Sequence, residues 1–273
     1  MTGRETATLC LSIQAGRFMQ AAIAIHQVSK VFHTADGDVH AMGPADLEVG
    51  SGEFVSLLGP SGCGKSTLML MIAGLIQPSS GAILINGDIV AGPRTDIGIM
   101  FQDNTLVPWR TVRGNVELQL ELRGLTPAAF ASRIDGLLGS VHLAGFENRL
   151  PFELSGGMQQ RAAFCQTLVH EPQMLLLDEP LGKLDAMTRE AIRRDLQNLW
   201  LKTRPTVMFV THSIEEAIQL SNKVCLITPR PGRIERVIDI DLPWPRDLQV
   251  KKSAAFTNYL GEIQEVFHGF GVI

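Results

Sequence analysis

No run of about 18 or more apolar residues occurs in the 273-residue chain, so nothing in it reads as a membrane-spanning helix. Nor is a secretory leader expected. The N-terminal stretch MTGRETATLCLSIQAGRFMQAAIAI breaks its apolar run at Ser12, Gln14 and Arg17, and its first charges are mixed. The folded part is expected to begin near Ala22. Residues 1–22 are then an N-terminal extension, or an overlong start ahead of Met19. There is no basic surplus either: 24 Lys and Arg stand against 28 Asp and Glu, a net charge of −4. A nucleic-acid partner is therefore not expected. Cysteine is scarce and scattered. Cys10, Cys63, Cys165 and Cys225 form no C-x-x-C pair and have no histidine at metal spacing, as in a reduced cytosolic protein. Internal repeats and low-complexity tracts are absent.

What is present suits a globular α/β protein. Apolar residues make up 45% of the chain and charged ones 19%, enough for one large domain or two modest ones. Ile23–Val31, Ala45–Val49, Phe54–Leu58, Ile83–Ile85 and Ile97–Phe101 read as strands, with turns at Asp36-Gly37, Ser51-Gly52 and Asn86-Gly87. Helices are expected over Val112–Arg123, over Pro127–Leu138 with Thr126 as N-cap, and over Ser155–Val169. Met174–Leu177 is an apolar run suited to a strand buried on both faces. A helix over Thr188–Lys202 follows, placing Ile192, Leu196, Leu199 and Trp200 at core spacing. The strands Val207–Val210, Val224–Ile227 and Ile234–Ile240 surround a helix over Ile214–Leu220. This alternation indicates a doubly wound sheet. Beyond Pro243, one amphipathic helix fits Phe256–Phe267.

Gly59-Pro60-Ser61-Gly62-Cys63-Gly64-Lys65-Ser66 matches G-x-x-x-x-G-K-[ST]. Its glycines let backbone N–H groups curl around phosphate oxygens, and the helix after it, Ser66–Ala73, points its positive end at the anion. Lys65 is placed to reach the β- and γ-phosphates and the Ser66 hydroxyl to ligate Mg²⁺. A thiol at Cys63 is expected to confer sensitivity to alkylation. Downstream, Leu175-Leu176-Leu177-Asp178-Glu179 sets two carboxylates at the C-terminal edge of a buried strand, where parallel sheets bind ligands. Asp178 is placed to hold Mg²⁺ and Glu179 to polarise an attacking water. These motifs define a P-loop nucleotide binder but leave kinases, GTPases and transport ATPases open.

Leu154-Ser155-Gly156-Gly157-Met158-Gln159-Gln160-Arg161 narrows the choice. A serine N-cap and two glycines open a helix, a second anion-binding terminus in one chain. A merely capped helix has no need of glycine there, since each costs about 1 kcal/mol relative to alanine. Close approach of backbone to a ligand explains them better. With this segment the chain resembles an ATP-binding-cassette (ABC) subunit over roughly residues 23–242. Gln102 matches that family's glutamine loop, Asp185 its D-loop, His212 its switch histidine, and Phe32 the aromatic that stacks on adenine.

The resemblance implies a P-loop NTPase core with an antiparallel β subdomain and an inserted α-helical signature subdomain at about 103–169, followed by a C-terminal extension, 243–273. It implies an ATPase using ATP and Mg²⁺. Catalytic roles fall to Glu179, His212 and Gln102, and metal binding to Ser66, Gln102 and Asp178. Nucleotide contacts fall to Phe32, to Gly59 through Ser66 together with Thr67, and to Ser155, Gly156, Gly157 and Asp185. In the family two cassettes face head to tail and sandwich two ATP molecules. Leu106–Thr111 and Thr228–Ile234 also resemble the nitrate/sulfonate/taurine importer group. That implies transmembrane permease subunits as partners, a solute-binding protein reached through them, a second copy or a related cassette, and a peripheral place on the cytoplasmic face of the membrane. The chain departs from the group at Leu181, Lys183 and Gln166, none of which is a phosphate- or metal-binding position. A soluble, non-transport ABC ATPase is the alternative, although such proteins usually carry two cassettes or a coiled-coil insertion. A small-molecule kinase has no use for the LSGG helix or His212.

Overall fold

Residues near the start of the chain form a long hairpin of β1 (Ala21–Thr34) and β2 (Gly37–Gly50). In this computed structural model, which describes residues 21–103, 105–182 and 184–272, the two strands pair from Ala21↔Gly50 to Thr34↔Gly37 with several register shifts. Residues 1–20, with Cys10, and Lys183 lie outside the described residues. The turn is at Ala35-Asp36, one residue ahead of the expected Asp36-Gly37, and Gly37 (φ +120°) opens the return strand. Both strands outrun the apolar stretches that announced them, because main-chain pairing continues into an exposed hairpin end.

The chain then leaves this hairpin for a second sheet at β3 (Phe54–Leu58) and returns as β4 (Ser80–Ile85), which pairs with β1 and turns into β5 (Asp88–Ile89). Asn86 and Gly87 have φ of 52° and 86°, the two positive values a type I′ hairpin requires. The first sheet is therefore antiparallel, in the order β2-β1-β4-β5. The second adds β6 (Ile97–Met100), β7 (Met174–Asp178), β8 (Thr206–Thr211), β9 (Lys223–Ile227) and β10 (Ile234–Asp239) to β3. Its order is β10-β9-β3-β8-β7-β6, parallel throughout except at the β10 edge.

The continuous apolar runs follow from burial on both faces. Successive side chains on a strand point to opposite sides. Leu175, Leu177, Val207 and Phe209 enter one core while Leu176, Met208 and Val210 enter another. The second core is closed by the antiparallel sheet and α1 (Lys65–Ile72). The first holds α2 (Val112–Glu121), α3 (Ala131–Ser140), α4 (Gly156–Leu168) and α5 (Ala186–Thr203). Within it Trp200 of α5 is 1% exposed and meets Phe54 edge-on at 6.1 Å.

The helix expected over Pro127–Leu138 begins as a 3-10 turn, Pro127–Phe130, and becomes α-helical only at Ala131. Thr126 gives no side-chain cap, and the 3-10 turn fully buries none of its residues, with only Phe130 packing partly against the first core. A third core joins β9 and β10 to α6 (Ile214–Leu220), and to the chain end through α7 (Leu248–Lys251) and α8 (Ala254–Gly269). Phe256, Ile263 and Phe267 of α8 are buried there. Arg246, 1% exposed, ties this end to α6: its guanidinium donates to the carbonyls of Ile218, Ser221, Ile240 and Leu242. Burial pulls its pKa down to about 10, against the opposing pull of Tyr259 and Asp241. Among the described residues no helix is long and apolar enough to cross a membrane.

Candidate nucleotide site

The phosphate loop leaves the fully buried β3 and enters α1 through Gly64, whose φ of +102° only glycine adopts cheaply. A Cβ on Gly64 would also fall 2.4 Å from the Ala41 carbonyl oxygen. Lys65 is 5% exposed, and its ammonium donates to the carbonyls of Gly59 and Pro60, both at 2.8 Å. Cys63 lies beside it, Sγ 3.7 Å from Nζ, but is only 1% exposed, and burial pushes its thiol above the ordinary range against the pull of Lys65. The expected sensitivity to alkylation is therefore corrected: the thiolate is the nucleophile, and here it is both hidden and disfavoured.

Asp178 ends β7 at 6% exposure, beside the Ser66 side chain. Burial chiefly raises its pKa and Glu179 adds to the effect, while Ser66 and Lys65 oppose it. Its Oδ1 is buried without a hydrogen-bond partner among the described residues. An orphaned carboxylate oxygen is costly, and together with the Ser66 hydroxyl and the Gln102 amide it supplies the hard oxygen donors that suit Mg²⁺. The residues present fit that ion.

Glu179, Gln102 and His212 converge from the ends of three neighbouring parallel strands. Gln102 Nε2 donates to Glu179 Oε2 at 3.1 Å, and His212 Nδ1 lies 3.5 Å from the same oxygen. Glu179 itself sits at φ +45°, its N–H donating to the Val210 carbonyl and its carbonyl accepting from the Gly182 N–H. The same carbonyl accepts from Gln160 Nε2 at 3.4 Å, a contact the motif reading did not anticipate, because the two residues meet only once α4 packs beside β7.

A cavity of about 290 Å³ joins these parts. Ser61, Gly62, Gly64, Lys65, Ser66 and Thr67 line its floor, and Gln102 and Glu179 one side. Phe32 and Ala41 line the other side with Arg230, which no motif singled out as a site residue. Phe32 is 38% exposed, with the Lys30 ammonium 5.1 Å from its ring centroid.

Ser155, Gly156 and Gly157 are not among the lining residues. Ser155 caps α4 by accepting from the Met158 N–H at 3.3 Å. A Cβ on Gly157 would touch Leu184 at 3.4 Å, and one on Gly156 would meet nothing within 4 Å. Among the described residues nothing requires glycine at 156. Asp185 likewise caps α5, accepting from the N–H groups of Met187 and Thr188, and the Thr188 hydrogen bonds hold its carboxyl below the usual range. Of the departures from the importer group, Leu181 is buried in the first core and Gln166 donates to the Asn115 carbonyl.

A phosphate loop below the edge of a parallel sheet, with two carboxylates at the end of the strand next but one, defines a P-loop nucleoside triphosphatase. The matching family model is that of the ABC transporter, over residues 42–182, and the chain belongs to this family. It is an ATP-binding, ATP-hydrolysing cassette. An uncharacterized ABC transporter ATP-binding protein of Methanocaldococcus jannaschii is 42% identical over 248 residues, 91% of this chain and 92% of that protein. An aliphatic sulfonates import ATP-binding protein of Bacillus cereus is 39% identical over 92% of this chain and 98% of its own length. A taurine import ATP-binding protein of Pelagibacter ubique is 39% identical over 86% and 91%. Among solved structures, the dimeric structure of MJ0796, a bacterial ABC transporter cassette, superposes with a TM-score of 0.74 at 31% identity, covering 81% of this chain and all of that one.

Proposed function

We propose that this cassette powers a membrane importer for a small anion of the sulfonate, taurine or nitrate kind, working as a head-to-tail pair. ATP is held by the phosphate loop of one copy and by Ser155, Gly156 and Gly157 of the other, with Asp185 at the seam. Phe32 stacks on adenine, and Lys65 neutralises the β- and γ-phosphates. Ser66, Asp178 and Gln102 hold Mg²⁺, which when bound offsets charge on the phosphates. Glu179 takes or orients the proton of the attacking water, and Gln102 and His212 keep its carboxylate aimed. His212 contacts the γ-phosphate as the pair closes. Binding ATP favours the closed pair and hydrolysis releases it, a population shift that drives permease subunits. Those subunits would hold the cassette at the cytoplasmic face and receive solute from a binding protein outside.

The observation that carries this reading is the separation of Ser155, Gly156 and Gly157 from the cavity of their own chain, together with a glycine at 156 that nothing among the described residues requires. Likeness to sulfonate and taurine import subunits over nine-tenths of the chain supports the solute class.

The test compares wild type with Glu179→Gln by native mass and phosphate release. The variant is expected to pair on Mg-ATP and to release phosphate about 100-fold or more slowly. Equal rates would remove Glu179 from the chemistry, and a variant that stays single with ATP bound would remove the free-standing pair. For the solute, a strain lacking the gene is expected to lose growth on taurine, an alkanesulfonate or nitrate as the sole source of sulfur or nitrogen. Glu179→Gln should not restore it.

A further inference from the structure

The loop between β9 and β10 brings a cation to the cavity from a part of the chain far from the phosphate loop. Thr228–Arg233 closes on itself through Thr228 N–H to the Arg233 carbonyl and Arg233 N–H to Thr228 Oγ1, both at 3.0 Å. It also rests on two other elements. The Gly43 N–H donates to the Gly232 carbonyl at 2.8 Å, and Met42 bridges to Gly232 beside it. On its other side Gly232 presses against the phosphate loop, where an added Cβ would fall 1.9 Å from the Cys63 carbonyl oxygen. The loop is thus pinned between β2 and the phosphate loop.

Arg230 stands at its tip and lines the nucleotide cavity with Phe32. Its Nε donates to the His40 carbonyl at 3.3 Å. Among the described residues no carboxylate pairs with it and nothing accepts from its two Nη groups. His40 pairs with Val31 across the hairpin, and Val39 with Phe32. The guanidinium is therefore moored at the Phe32 end of the cavity. A planar cation with a free pair of donors matches a phosphate better than any other part of a nucleotide.

We propose that Arg230 is a second nucleotide-binding cation, donating to the α-phosphate where it joins the ribose, while Lys65 serves the β- and γ-phosphates. This rests on the reading of the cavity as the ATP site. The experiment measures ATP, ADP and adenosine affinities for wild type, Arg230→Gln and Arg230→Lys, with steady-state hydrolysis alongside.

Arg230→Gln is expected to weaken ATP and ADP alike, on the order of tenfold, the scale of one lost charge-assisted hydrogen bond. Adenosine affinity and the rate at saturating ATP should stay as in wild type, so KM moves and kcat does not. Arg230→Lys keeps the charge without the fork and should recover part of the loss. Unchanged ATP and ADP affinities would overturn the assignment. A loss confined to ATP would move the contact to the γ-phosphate, and an equal loss for adenosine would move it to the base; either also overturns it. If wild type itself bound no ATP, the reading of the site would fall first, and this inference with it.

Discussion

Cys63 sits inside the phosphate loop, yet its thiol faces the protein. The loop curls its main chain toward the cavity, and the side chain between Gly62 and Gly64 is turned inward, where burial disfavours the thiolate. Cys165 and Cys225 are buried more deeply, and burial pushes both up to about 12. N-Ethylmaleimide near neutral pH is therefore expected to leave all three unmodified in the folded protein and to label all three in urea, as read by peptide mass mapping. An adduct on Cys63 in the folded chain would contradict this. The residues proposed to touch phosphate were legible because their chemistry is written in adjacent letters. Arg230 and Gln160 were not, because each reaches the site from another element and carries no local pattern of its own.

At the scale of elements, His170 marks the junction where α4 hands over to β7. Among the described residues neither ring nitrogen has a hydrogen-bond partner, and burial, with Arg123 and Arg133 nearby, holds its pKa down to about 4. The folded chain keeps the ring neutral at pH values where the unfolded chain, near its ordinary 6.5, protonates it. The stability it supports is full above pH 6.5 and is lost as pH falls from there toward 4. His170→Leu should flatten that slope in urea unfolding and add about 1–2 kcal/mol at pH 5, a figure reduced for the partial burial of the ring. An unchanged slope would count against the depressed pKa.

Elements buried on both faces, such as Met174–Asp178 and Phe54–Leu58, were legible as continuous apolar runs. The exposed end of the β1–β2 hairpin was not, since hydrogen bonding extends it where side chains give no signal. The 3-10 start at Pro127 was hidden for the opposite reason: proline suits the first turn of either helix type, and burial, which local sequence does not reveal, decides between them.

For the whole molecule, the separation of signature and phosphate loop allows a complementation experiment. Lys65→Met removes the loop function and Gly156→Asp the signature, so each variant alone should hydrolyse little ATP. Mixed together, they should regain activity, because one of the two shared sites in a mixed pair is intact. A mixture as inert as its parts would mean that each chain acts by itself. Sheet order was the least legible feature. Alternating strands and helices announce a doubly wound sheet, but no local signal says that β3 lies between β8 and β9. That placement also has a bearing on biosynthesis. A ribosome making this chain lays down the phosphate loop early, yet both strands that flank its base are translated only after residue 205. The nascent protein therefore cannot assemble its ATP pocket until β8 and β9 have both been translated, and it remains a poor nucleotide trap before then.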